Sequence, residues 1–159
     1  MQAIVLFSHG SVLCGAERNL MELAAFMRER GDAPIVEVAF LNYLPPDLGA
    51  TIAHCISLGA TSVVITPYFL VAGKFVIDDL PAAIARVREE HPSLPIITAD
   101  VIGFHSAMVD AVIGAIATAR PASAWSGERV VEAGSSCREN PRCPLYGSAV
   151  CRVHVEVPA

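Results

Sequence analysis

Residues 3–11 are Ala-Ile-Val-Leu-Phe-Ser-His-Gly-Ser, an uncharged aliphatic run that ends in polar residues and a glycine. Such a run is typical of a strand that is covered on both faces of a parallel sheet. It lacks the basic residues with which a signal peptide begins, so it predicts a buried first strand in a cytoplasmic protein. The Ser-His-Gly-Ser segment follows the carboxyl end of that strand, which is where open parallel sheets bind ligands.

Three further aliphatic runs repeat this pattern, and helical periodicity separates them. The predicted strands are 3–7, 35–40, 62–66 and 96–99, and the predicted helices are one that ends at Gly31 and three over about 46–58, 78–90 and 106–119. This alternation predicts an α/β fold, with an open, flavodoxin-like parallel sheet of about four strands and helices on both faces. The fourth helix is apolar nearly all round, which predicts either burial on more than one side or contact with a partner subunit.

The composition excludes several classes of protein. The 159 residues are 53% hydrophobic and 17% charged, which disfavours disorder and a coiled coil. The net charge of −5 gives no electrostatic basis for binding nucleic acid. No apolar run reaches the ~18 residues that a membrane-spanning helix needs. We therefore expect a soluble protein that binds neither nucleic acid nor membrane, with one domain over residues 1–120 and an extension over 121–159.

The segments that follow the other strands have few charges and many apolar residues. They are Leu-Asn-Tyr-Leu-Pro at 41–45, Pro-Tyr-Phe-Leu-Val-Ala-Gly-Lys-Phe at 67–75 and Val-Ile-Gly-Phe-His at 101–105. A nucleotide polyphosphate prefers glycine-rich turns and a lysine at the phosphates. This edge of the sheet instead favours a large, flat and partly hydrophobic ligand.

Four motifs carry a resemblance to a known family: Ser-His-Gly-Ser at 8–11, Ala-Phe-Leu at 39–41 before a proline and a helix, Pro-Tyr-Phe-Leu at 67–70 with Asp-Leu-Pro at 79–81, and Gly-Phe-His at 103–105. In this order and spacing, residues 3 to 119 resemble the small sirohydrochlorin chelatases of the cobalamin and sirohaem pathways. The resemblance implies a class II chelatase lobe that inserts a divalent metal into a tetrapyrrole, usually as a homodimer. Cobalt and iron are the expected metals, and imidazole ligands also suit nickel.

The resemblance implies that His9 is the catalytic residue. Neutral imidazole near pH 7 serves both as a metal ligand and as a base for the pyrrole protons, although a turn-capping histidine is the alternative. His105 is a candidate second metal ligand, with a partial helix cap as its alternative. The residues expected to contact the tetrapyrrole are Ser8, Gly10, Ser11, Tyr68, Phe69, Lys74 and Phe75.

One position departs from the family pattern. Family members carry a second histidine in a Gly-x-His segment before Asp-Leu-Pro, and this chain has Gly73-Lys74-Phe75 there. Because Phe75 neither ligates a metal nor accepts a proton, a protein that binds a tetrapyrrole or a metal without insertion is the alternative function. A flavodoxin-like domain that binds a small anion at 8–11 is a third hypothesis, which would predict more hydrogen-bond donors at this edge. Lys74, the only lysine, either pairs with a tetrapyrrole carboxylate or projects into solvent.

The cysteines of the extension suggest further chemistry. Cys137, Cys143 and Cys151 lie in a segment rich in turn residues, and none forms a C-x-x-C pair. Three thiolates and one further ligand suffice for an iron–sulfur cluster, the fourth being His154, one of the earlier cysteines or a partner-subunit residue. Some chelatases of the resembling group carry such extensions. Free thiols or one disulfide, and a zinc site, are the alternatives. Cys14 is either a soft-metal ligand or a small buried residue.

Overall fold

The computed structural model describes residues 1–11 and 17–125. Within them, four parallel strands form one sheet in the order β2-β1-β3-β4. The strands are β1 Gln2–Ser8, β2 Ile35–Phe40, β3 Ser62–Pro67 and β4 Ile96–Thr98. The predicted open parallel sheet is confirmed, and the strand ends differ from the predicted ones by one residue at most.

Four α-helices alternate with the strands: α1 Arg18–Arg30, α2 Leu48–Ser57, α3 Leu80–Glu90 and α4 Ala107–Ala117. A π-helical turn, Phe75–Asp79, leads directly into α3, and a short 3-10 turn spans Ala122–Trp125. As predicted, α1 ends before Gly31, whose φ of +78° suits the left-handed residue that terminates many helices. No helix in the described ranges is long and apolar enough to cross a bilayer.

Two helix starts differ from the predicted ones. α2 begins at Leu48 and not at 46, because Asp47 is extended and its carboxylate accepts a hydrogen bond from the Ala50 N–H at 2.8 Å. This is the usual geometry of an N-cap residue. α3 begins at Leu80, since the residues just before it form the π-helical turn.

The core lies on both faces of the sheet, because alternate residues of a strand point to opposite sides. Val5 and Phe7 of β1 belong to the buried cluster that includes residues of α2 and α3. Leu6 belongs to the second cluster, which includes Leu20 and Ala24 of α1. Helices therefore cover both faces of the sheet, as the sequence predicted.

The described residues divide into two units, residues 1–10 with 19–103, and residues 11 and 17–18 with 104–125. The sheet belongs to the first unit and α4 to the second. Two alternatives were predicted for α4, burial on more than one side or contact with a partner subunit, and none of its residues is buried in the structure. An apolar sequence predicts that a helix face avoids water, but it does not show whether that face packs against its own chain or against a partner.

Candidate active site

The backbone around His9 is held in place by the loop that follows β2. The Leu41 N–H donates to the Ser8 carbonyl and the Asn42 N–H donates to the His9 carbonyl, both at 2.9 Å. Gly10 has a φ of +81°, and a Cβ at this position would lie 2.1 Å from the Asn42 carbonyl oxygen. The close approach of the two loops therefore requires glycine at residue 10.

The hydrogen bond of the His9 ring identifies its protonated nitrogen. Nδ1 lies 3.0 Å from the Gly10 carbonyl oxygen. A carbonyl oxygen only accepts hydrogen bonds, so in the neutral ring Nδ1 carries the hydrogen. Nε2 then keeps its lone pair, which is the form of imidazole that ligates a metal or accepts a proton.

Aromatic side chains surround the half-buried imidazole of His9. The Phe75 ring lies 4.2 Å from it, centroid to centroid, with an interplanar angle of 38°. The Tyr43 ring lies 5.6 Å away at 69°, an edge-to-face arrangement. Phe69 extends the group, 6.2 Å from Phe75. We refer to Tyr43, Phe69 and Phe75 as the aromatic cluster.

The π-helical turn positions Phe75, its first residue. Such turns are rare and frequently occur at functional sites. Lys74, directly before the turn, donates a hydrogen bond from Nζ to the Asp79 Oδ1 at 2.7 Å. This bond raises the pKa of the Lys74 ammonium. The ammonium therefore already has a carboxylate partner within the chain, and a substrate carboxylate would compete with Asp79 for it.

The structure brings together most of the expected site residues that belong to the first unit. Ser8, His9 and Gly10 follow one another at the end of β1, and the Tyr68 N–H donates to the Phe7 carbonyl at 2.7 Å. The edge is apolar, as expected, since large exposed side chains follow β3 and continue into the π-helical turn. These are Tyr68, Leu70, Val71 and Ile77.

The other predicted residues belong to the second unit or lie outside the described residues. Ser11 and His105 belong to the second unit. The Nδ1 of His105 accepts a hydrogen bond from the Ala107 N–H at 3.1 Å, which is the interaction expected of a partial helix cap. Cys14 and the three cysteines of the extension lie outside the described residues. Among the described residues, no three His, Cys, Asp or Glu side chains are grouped so that they would hold a metal.

Tyr43 was not among the residues that the sequence predicted for the site. Its sequence position could have indicated a site residue, because Tyr43 lies in the segment that follows β2 at the carboxyl edge of the sheet. Hydropathy gave no reason to select it over its neighbours. Only the paired backbones of the two loops show that it reaches His9.

The comparison with known protein families covers the sheet, the candidate site and α4. Residues 3–119, most of the chain, match the family model described as CbiX. The chain belongs to the CbiX family. The resemblance drawn from the four motifs is thereby confirmed, and the matched residues include His9, the aromatic cluster and α4.

Several relatives of this CbiX chain have names that describe metal insertion. It is 31% identical over 91 residues to the sirohydrochlorin cobaltochelatase of Methanocaldococcus jannaschii, covering 57% of this chain and 64% of that protein. It is 31% identical over 114 residues to the sirohydrochlorin ferrochelatase of Bacillus subtilis, covering 70% and 42%. The chain thus spans less than two thirds of the length of each of these relatives.

Solved structures agree with the sheet topology. The sirohydrochlorin chelatase SirB from Bacillus subtilis subspecies spizizenii, in complex with cobalt, has a TM-score of 0.67 and 28% identity, covering 73% of this chain and 50% of that one. A CbiX protein from Marinobacter aquaeolei has a TM-score of 0.56 and 23% identity, covering 74% and 95%. The second likeness supports the fold alone.

Proposed function

We propose that this protein is a chelatase that inserts a divalent metal, cobalt or iron, into sirohydrochlorin. The observation that carries the proposal is the His9 imidazole, whose Nδ1 is engaged by the Gly10 carbonyl while Nε2 keeps its lone pair. The family membership and the relatives named for both metals support it. The metal is a substrate here and not a resident cofactor.

Metal insertion replaces two pyrrole N–H protons with one divalent ion, so two protons leave for each metal that enters. In our proposal, Nε2 of His9 ligates the arriving metal and then accepts a pyrrole proton once the metal has passed to the macrocycle. The second proton passes to solvent. General-base assistance of this kind is typically worth about 10²–10⁴-fold in rate.

Tyr68 and two members of the aromatic cluster, Phe69 and Phe75, supply the surface for the macrocycle. A planar conjugated ring stacks favourably on aromatic side chains in offset or edge-to-face arrangements. In our proposal Tyr68, Phe69 and Phe75 contact the flat face of the tetrapyrrole, and Ser8 and Gly10 border the entering metal. Lys74 exchanges its Asp79 partner for a carboxylate of the substrate, since both partners are carboxylates.

An absorption titration tests the proposal. Anaerobically purified protein is mixed with sirohydrochlorin, and Co²⁺, Fe²⁺ or Ni²⁺ is added in separate runs. We expect the bands of metallated product to form faster than with metal and sirohydrochlorin alone. A shifted spectrum of bound sirohydrochlorin without faster metallation would instead support the non-catalytic alternative, in which the site binds but does not insert.

We further propose a homodimer, with residues 1–120 as the chelatase lobe and 121–159 as an extension. The support is an apolar stripe on α4 whose side chains are each more than half exposed: Val109, Val112, Ile113 and Ile116. Their i, i+3, i+4, i+7 spacing places them on one face of the helix, and a second copy is the occupant that we assign to it.

The cysteines of the extension keep the three alternatives given by the sequence. Cys137, Cys143 and Cys151 lie outside the described residues, so their chemistry remains a proposal from spacing alone. Iron, zinc and acid-labile sulfide analysis of anaerobically purified protein distinguishes the alternatives. About four irons and four sulfides per chain are expected of a cubane cluster. Zinc without sulfide would indicate the zinc site, and a protein with no bound metal or sulfide would indicate free thiols or one disulfide.

A further inference from the structure

Tyr43 has an unusual backbone conformation. Among the described residues it is the only non-glycine residue with a positive φ, at +66°. The Leu44 N–H donates to the Asn42 carbonyl at 2.7 Å, two residues back, so Tyr43 is the central residue of a γ-turn. A γ-turn with positive φ at its centre is rare and strained, and a bulky side chain there is an outlier where glycine or asparagine fits easily.

Burial in the core does not explain this choice of residue. The Tyr43 side chain is 59% exposed, so it contributes little to either hydrophobic cluster. Its ring instead lies edge-to-face with the His9 imidazole at 5.6 Å. The turn is also joined to His9 through the backbone, since the Asn42 N–H donates to the His9 carbonyl. The strained conformation therefore directs the ring toward His9.

Three groups contact the imidazole from different directions. Phe75 lies against its face at 4.2 Å, Tyr43 meets it edge-to-face, and the Gly10 carbonyl accepts from Nδ1. Together they limit both rotation about the Cβ–Cγ bond and tilting of the ring. Nε2 is the nitrogen that they leave unengaged.

We propose that Tyr43 is a positioning residue, which with Phe75 forms an aromatic clamp that orients the His9 imidazole in the free protein. The inference rests on the proposed function, because it assigns to this ring the orientation that metallation needs. Strained conformations persist at functional sites when the surrounding structure enforces them. Here the paired loops at Gly10 and Asn42 enforce the turn. A reacting group that is misplaced by about 1 Å loses as much as 10²-fold in rate.

Two substitutions at residue 43 distinguish the role of the Tyr43 ring from that of its backbone conformation. Tyr43→Gly removes the ring and adopts a positive φ without strain, whereas Tyr43→Phe keeps the ring. Phe26→Ala is the matched control, because Phe26 is an aromatic side chain on α1 with a similar exposure of 56%. Each variant is measured for metallation kcat and KM, for thermal midpoint, and by NMR of the imidazole nitrogens of His9.

For Tyr43→Gly we expect an unchanged or higher thermal midpoint, a kcat about tenfold lower with a smaller change in KM, and a lower population of the Nδ1–H tautomer. Tyr43→Phe is expected to restore the tautomer population and most of the rate, and Phe26→Ala to match the wild type in both. A loss of folding stability in Tyr43→Gly would indicate a structural role and overturn the proposal. The proposal would also be overturned if Tyr43→Gly left both the His9 tautomer population and kcat unchanged.

The NMR measurement is independent of the reaction. If the wild type fails to metallate sirohydrochlorin, the proposed function fails, but the orientation of His9 by Tyr43 is still tested in the free protein. If metallation proceeds and the tautomer population does not respond to Tyr43→Gly, only the role of Tyr43 is wrong.

Discussion

Among the described residues, the Gly10 carbonyl engages Nδ1 of the His9 imidazole and no group engages Nε2, and this asymmetry comes from backbone geometry. The Gly10 carbonyl accepts from Nδ1, and Gly10 itself adopts its conformation because the Asn42 carbonyl lies so close. A metal-ligating histidine commonly has its second nitrogen held by a carbonyl or carboxylate in this way. The chemistry of one side chain thus depends on a glycine that contributes no side chain.

Replacing Gly10 tests this dependence. Gly10→Ala introduces a Cβ that would lie 2.1 Å from the Asn42 carbonyl oxygen, in addition to a positive φ. Gly31→Ala is the control, since Gly31 also has a positive φ but no atom within 4 Å of an added Cβ. We expect Gly31→Ala to lower the free energy of unfolding by about 1–2 kcal/mol, and Gly10→Ala to lower it by ~1–3 kcal/mol more. Equal losses in urea unfolding would contradict the close approach of the two loops.

A second histidine is expected to strengthen the metal site. In Phe75→His the new imidazole would lie about as far from His9 as the phenyl ring does, 4.2 Å between centroids. Two imidazole rings this close can each direct a nitrogen to one ion, so we expect Co²⁺ affinity to rise at least tenfold, by titration calorimetry, and metallation to accelerate. Phe26→His, which adds a histidine on α1, is the control. Unchanged affinity in a folded Phe75→His protein would count against a metal site at His9.

At the level of single elements, the start of α2 holds one end of the loop that connects it to β2. The Phe40 N–H donates to the Pro46 carbonyl at 2.9 Å, and Asp47 then caps α2, so the loop that contains Tyr43 is fixed at both ends. The loop is therefore held by the sheet on one side and by the helix start on the other.

The N-cap of α2 gives a prediction at this scale. Asp47→Ala removes the acceptor of the Ala50 N–H and is expected to lower the free energy of unfolding by about 1 kcal/mol. Asp47→Asn keeps an oxygen acceptor and is expected to retain most of the stability of the wild type. Thermal unfolding followed by circular dichroism measures both variants. The cap would have no role if the two variants were equally unstable or both matched the wild type.

The regular elements were predictable because their signals are local. Aliphatic runs fixed the four strands, and Gly31 marked the end of α1. The π-helical turn and the conformation of Tyr43 were not predictable, because both depend on contacts between segments far apart in sequence. His9 and Phe75 were recognised from a family motif, whereas their 4.2 Å contact required the folded chain. Hydropathy alone did not distinguish burial of α4 from exposure, because an apolar sequence is compatible with both.

For the whole molecule, the apolar stripe of α4 determines our expectation of assembly. Ile113→Glu places a charge in the middle of that stripe, where Ile113 is 59% exposed in the single chain. We expect the wild type to have the mass of a dimer by light scattering at micromolar concentration, and the variant that of a monomer with an unchanged circular dichroism spectrum. A monomeric wild type, or a variant that remains dimeric, would show that this stripe does not hold two copies together.

The most direct test of the central claim is the metallation rate of His9→Ala, measured with its thermal midpoint. His9 lies beyond a buried strand and is half-buried, so its loss is expected to change the free energy of unfolding by only about 0.5–1 kcal/mol. His54→Ala, which removes an exposed histidine of α2, is the control and is expected to retain the wild-type rate. We expect sirohydrochlorin metallation to be about 10²–10⁴-fold slower in His9→Ala. Metallation at the wild-type rate in folded His9→Ala would contradict it.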